Sequence, residues 1–144
     1  MSDLPQKVSS RPAATSLLLE EPPTVRQIYT RGIAEAMSPE MDMSLNNLRD
    51  LTQCILMEGL TRKVKPPFFA RLLDDTTEFL TVLARLEAAV HAKNALVLSD
   101  PDRKPDVLEA AISKLMPQIS DLRLKMSEKT MQMALCADPG TTVS

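Results

Sequence analysis

Between Phe69 and Val90 the apolar residues recur with a fixed rhythm. Phe69, Leu72, Thr76, Phe79, Leu83, Leu86 and Val90 stand three, four, three, four, three and four residues apart, the a/d spacing of a helical seam that packs against another helix. Six of those seven positions are apolar. Phe68, Leu73, Leu80, Val82 and Ala89 widen the stripe, so a helix here is expected to touch more than one neighbour. The rhythm returns further on, where Leu108, Ile112, Leu115, Ile119, Leu122, Met126, Lys129 and Met133 alternate steps of four and three, with Lys129 the only break. The intervening "LSDPDRKPD" holds Pro101 and Pro105 and has the length and charge of a connection between antiparallel helices. A long antiparallel helical hairpin follows as the expectation, with arms at about 67–97 and 105–135. Pro117 falls inside the second arm and predicts a kink, or two shorter helices meeting at Met116 and Pro117.

Composition points to the same class. Aromatic residues make up 3% of the chain and glycine occurs three times, whereas sheets favour aromatic and β-branched residues and glycine-bearing turns. Leu, Ala and Met, all good helix formers, dominate the apolar material. The expected fold is therefore all-α. At 144 residues and 44% hydrophobic residues, the chain has enough apolar material to bury one core.

Two shorter helices precede the hairpin. Val25, Ile28, Tyr29, Ile33 and Met37 recur three and four apart after Thr24, a residue suited to cap a helix start, and "SPE" stops the segment at about 37. Gly32 weakens that pattern. Ser44 is a second candidate cap, followed by Leu45, Leu48, Leu51, Ile55, Leu56 and Leu60 on one side, so a helix is expected over about 44–62, with Gly59 weakening its end. Residues 1–23, with Pro5, Pro12, Pro22 and Pro23 among small polar residues, are expected to form a disordered arm. Leu17, Leu18 and Leu19 are its candidate docking point for a protein partner. Residues 137–144 are expected to form a flexible tail, leaving 24–136 as the helical domain.

Several function classes have nothing to stand on. A formal net charge of −2 and a pI near 5.4 give no global attraction to nucleic acid or an anionic membrane. No apolar run approaches the length of a membrane span and no signal-peptide pattern is visible. The two cysteines, Cys54 and Cys136, are far apart and imply neither a zinc site nor a disulfide framework, which makes a cytoplasmic setting the expectation. His91 is the only histidine, and Asp74, Asp75 and Glu78 read as a solvated helix face. No phosphate-cradling loop, nucleophile elbow or zinc-helix motif is present. No catalytic, cofactor-binding or metal-ligating residue is therefore assigned, and no enzyme activity or cofactor is expected.

What remains is contact between helices. The seam residues Phe69, Leu72, Phe79, Leu83, Leu86, Val90, Leu108, Ile112, Leu115, Ile119, Leu122 and Met126 are the candidate oligomer or partner interface. The short helices have two options: to complete a four-helix bundle, or to leave the hairpin to pair with a second copy. Seams of about four heptads outlast the short helices and favour pairing, hence a homo-oligomer. Arg62, Lys63, Lys65 and Arg71 form the one concentration of positive charge and are candidate phosphate-binding residues. The layout of arm, short helices and hairpin resembles that of several unrelated groups, among them small ring-forming viral terminase subunits and cytoplasmic secretion chaperones or adaptors. The resemblance is one of architecture and carries no residue across. The expected function is a non-enzymatic assembly or adaptor protein, with a nucleic-acid-binding oligomer as the alternative.

Overall fold

The computed structural model describes residues 24–135, all of whose regular structure is helical. Four helices follow one another: α1 (Val25–Met37), α2 (Leu45–Thr61), α3 (Pro66–Ser99) and α4 (Asp106–Leu135). The expected arm, with Leu17, Leu18 and Leu19, and the expected tail, together with Cys136, lie outside the described residues. At 1.5 Å per residue α3 and α4 are about 50 and 45 Å long, while α1 and α2 reach only about 20 and 25 Å.

Local chemistry sets the helix starts. Thr24 makes a reciprocal capping box with Gln27: its hydroxyl accepts from the Gln27 N–H at 3.1 Å, and its own N–H donates to the Gln27 side chain at 2.8 Å. Ser44 accepts from the Asn47 N–H at 3.1 Å, satisfying one of the donors that a helix start leaves without a partner. At α3 no side chain caps the start, and Pro66 and Pro67 occupy the first turn. Proline has no N–H to satisfy there and its fixed φ already suits the helix.

The helices close into a ring in which α1 packs on α2 and α4, and α3 likewise on α2 and α4. Each neighbouring pair is antiparallel. Lys93 pairs with Glu109 and Asp75 with Lys129 along the hairpin, Arg49 pairs with Glu87 between α2 and α3, and Ser127 of α4 donates to the Ala34 carbonyl of α1. The result is an up-down-up-down four-helix bundle. The expectation that copies pair because the short helices leave the hairpin bare is thus corrected for its lower two thirds. There α1 and α2 supply the missing layers, with Ile33, Met37, Leu48 and Ile55 entering one core with Leu72, Phe79, Leu83, Leu86, Ile119, Leu122, Met126 and Met133.

The threonines and Arg123 buried in this core all find partners, whereas the buried Nε of Arg26 has no hydrogen bond among the described residues. Each helix contributes one fully buried threonine, Thr30, Thr52, Thr76 and Thr130. Their hydroxyls reach carbonyls of their own helices, at Arg26, Leu48, Leu73 and Met126 respectively. This back-bonding lets the hydroxyls of Thr52, Thr76 and Thr130 occupy core positions with no partner on another helix, while Thr30 also bonds across to Glu58. Lys129, the break in the second seam, sits at the rim and holds Asp75 at 2.6 Å. Arg123, buried to 7% exposure, donates to the carbonyls of Ala36, Met37, Ser38 and Met41 at 2.7–3.2 Å. It fastens the last turn of α1 to α4, where the helix leaves carbonyls unpaired and its dipole favours a cation.

Pro117 does not divide the second arm, because α4 runs unbroken through it. Pro117, Ser113 and Gln118 are all exposed, so the carbonyl that loses its donor faces water. The Gln118 side chain adds a bond to the Lys114 carbonyl at 3.2 Å. Gly59 does not end α2 either. A Cβ there would sit 3.0 Å from Phe69 Cδ1 and 3.1 Å from Leu72 Cδ2, so the glycine lets α2 and α3 approach closely. The turn that follows is made by Lys63 at φ 54°, a left-handed conformation that a non-glycine residue adopts at some cost.

Candidate interaction surfaces

The bundle and the hairpin end at different heights. α2 begins at Leu45 and α1 ends at Met37, while α3 and α4 run on to their tip at Ser99 and Asp106. From Val90 to Gln118 no residue is buried, although the heptad rhythm continues. Of the candidate interface residues, Leu72, Phe79, Leu83, Leu86, Ile119, Leu122 and Met126 are enclosed in the chain's own core and present nothing to a second molecule. Val90, Leu108, Ile112 and Leu115 remain half-buried, because α3 and α4 cover only one side of each. Phe69 is also half-buried, at the base beside Gly59, and its neighbour Phe68 occupies the core in its place.

Near the tip lies an open groove of about 510 Å³ between the end of α3 and the start of α4. Ala92, Leu96, Val107 and Leu108 line it together with the charged Arg103, Lys104 and Asp106. Val107 and Leu98 are more than four-fifths exposed. The distal hairpin therefore carries an apolar face with a charged margin.

A second face lies on α1, where Ile33 and Met37 of the apolar pattern enter the core and the rest of it does not. Val25, Ile28 and Tyr29 belong to the apolar pattern of α1, yet they are 85%, 56% and 53% exposed. The buried side of α1 is formed by Thr30, Ile33, Ala34 and Met37. Tyr29 lies beside the Cys54 thiol of α2 and near the Glu58 carboxylate; both oppose a phenolate, with Cys54 the larger influence, and its pKa is raised. Cys54 is half-buried, and Met57 and Leu60 further along α2 are 59% and 58% exposed.

The basic cluster does not hold together. Lys63, Lys65 and Arg71 are exposed around the turn between α2 and α3. Arg62 points the other way and is 3% exposed, which withdraws it from the candidate phosphate-binding set. Its Nε donates to Glu58 at 3.2 Å and its Nη2 to the Thr30 hydroxyl at 3.1 Å. Thr30 in turn donates to Glu58 at 2.6 Å, and Arg26 Nε lies 4.0 Å from the same carboxylate. This network joins α1 to the end of α2. The sequence carries no signal for it, since a glutamate and an arginine four residues apart are common on exposed helix faces.

His91, Asp74 and Glu78 are exposed, and no group of His, Cys, Asp or Glu suited to a metal ion occurs among the described residues. None of the described helices is long and apolar enough to cross a membrane. Comparison of the chain with protein-family models, curated proteins and solved structures finds no match.

Proposed function

We propose that this chain is a non-enzymatic assembly or adaptor protein, which associates with copies of itself and receives a partner helix on the distal end of its hairpin. One observation carries the reading: Val90, Leu108, Ile112 and Leu115 carry the seams to the edge of the bundle and beyond it, and no further helix among the described residues covers them. A chain that needed the hairpin only for its own core would gain nothing from that extension, since the bundle is complete below it.

Size favours a single helix as the partner at this end. The distal arms are about 15–20 Å long, and two helices of that length offer on the order of 300–400 Å² of face, well below the roughly 800 Å² per partner of a standard interface between folded proteins. An amphipathic helix laid along the arms suits the area and needs only a few apolar anchors. Leu96, Leu108 and Ile112 supply them. Arg103 and Lys104 at the margin favour an acidic flank on the partner.

The test is a double substitution, Leu108→Asp with Ile112→Asp, in the full chain. Leu108 lies beyond the bundle core and Ile112 is only half-buried at its upper edge, so helix content by circular dichroism is expected to hold. A tagged wild-type chain purified under non-denaturing conditions is expected to exceed 15.9 kDa by native mass and to retain a partner that the double variant loses. A wild-type mass of 15.9 kDa with no retained partner contradicts the reading.

The alternative, an oligomeric nucleic-acid-binding protein, now rests on Lys63, Lys65 and Arg71 alone. Three exposed cations on a chain of net charge −2 give a weak electrostatic footprint.

A further inference from the structure

We infer that the outer face of α1 is where two copies of this chain meet, as an antiparallel helix pair crossing at Gly32. The inference rests on the assembly reading and names the surface for its self-association, separate from the distal hairpin.

Gly32 lies in the interior of α1, and an added Cβ would meet nothing within 4 Å. Mid-helix glycine is the costliest ordinary residue after proline, and nothing among the described residues requires it here, in contrast to Gly59. Its place on the helix supplies a reason. At 100° per residue, Val25, Ile28, Tyr29, Gly32 and Ala36 fall within about 100° of one another, on the side away from the buried Thr30, Ile33, Ala34 and Met37. α1 is thus apolar on two sides with only one covered. A glycine at the centre of the uncovered side lets a second backbone come close, with Ile28 and Tyr29 of each copy closing over it.

Charge selects a second copy as the occupant and fixes its direction. Arg31 and Glu35 are exposed, flank the apolar face one turn apart, and make no ion pair among the described residues. When two α1 helices cross antiparallel at Gly32, like flanks meet, which places Arg31 of each copy beside Glu35 of the other. Parallel crossing would turn this flank toward the opposite flank of the partner and leave that pairing unmade. The antiparallel arrangement is also isologous and closes at two copies. Met57, one turn from Cys54 on α2, is exposed as well. With Val25, Ile28 and Tyr29 it exposes on the order of 450 Å², within the range of the largest patch that a monomer usually leaves open.

The test measures the mass of the full chain by analytical ultracentrifugation at micromolar concentrations. Wild type is expected to be a dimer, at twice 15.9 kDa. Gly32→Leu, which blocks the crossing in space that is empty in one chain, is expected to give a monomer of undiminished helix content. Arg31→Glu and Glu35→Arg are each expected to weaken the dimer about tenfold by replacing two attractions with two repulsions, and their equimolar mixture is expected to restore it. Retention of the dimer in Gly32→Leu, or failure of the charge-reversed pair to recombine, overturns the inference. A dimer that survives Gly32→Leu but dissolves in the Leu108→Asp, Ile112→Asp variant would leave the assembly reading standing with the face misassigned.

Discussion

Arg62 and Arg123 show how little a residue's identity says about its role without its partners. Both are basic residues in a polar stretch, and both are buried. Arg123 spends its donors on carbonyls more than eighty residues away. Burial lowers its pKa, an effect opposed by the Asp42 carboxylate, and it stays charged at any physiological pH because the guanidinium starts so high. Arg62 shares the Glu58 carboxylate with Thr30. Removing one member of a buried pair leaves the other charge uncompensated, a loss of about 3 kcal/mol. Arg62→Ala is therefore expected to lower the urea midpoint by about that free energy with an unchanged slope. A midpoint within experimental error of wild type would return Arg62 to the surface and reopen its reading as a phosphate ligand.

At the scale of the helix, the sequence carried the seams well and the phase of α1 badly. Leu72, Phe79, Leu83 and Leu86 were legible because four large apolar side chains at a/d spacing have few arrangements other than a packed face. In α1 the core positions are held by Thr30 and Ala34 as well as Ile33 and Met37. Threonine adds no weight to an apolar pattern and alanine little, so Val25, Ile28 and Tyr29 pulled the expected face to the wrong side. Both glycines were read only as helix weakeners, because sequence does not contain the distance to a neighbour. That distance gives the two positions opposite signs. Gly32→Ala meets nothing in the single chain and, with the chain held monomeric by dilution, is expected to stabilise by about 1 kcal/mol through helix propensity. Gly59→Ala gains the same propensity but pushes a Cβ against Leu72, which is fully buried and cannot yield. Overpacking of this kind costs about 1–3 kcal/mol, so net destabilisation of about 1 kcal/mol is expected in urea titrations. Equal shifts of the same sign at both sites would contradict the close approach of α2 to α3.

For the whole molecule the decisive question was whether the hairpin closes on its own chain or on a copy. Seam length argued for a copy, and the heights of the helices answer otherwise. α1 and α2 are too short to cover α3 and α4 from end to end but long enough to complete a core over their lower two thirds. Such closure depends on which sides of four separate helices turn inward, which no single stretch encodes. It leaves the protein with two regions of different stability: a bundle with buried side chains from all four helices, and a two-helix extension with none. A contact confined to the extension serves assembly without disturbing the fold, since local opening there need not involve the core.

That division is tested most directly by residue-resolved hydrogen exchange on the wild-type chain held monomeric by dilution. Amides of residues 72–89 and 119–134 are expected to exchange only through global unfolding. Those of 92–98 and 108–116 are expected to exchange at least about a hundredfold faster, through local opening of the two-helix end. Uniform protection along both arms of the hairpin would contradict the account.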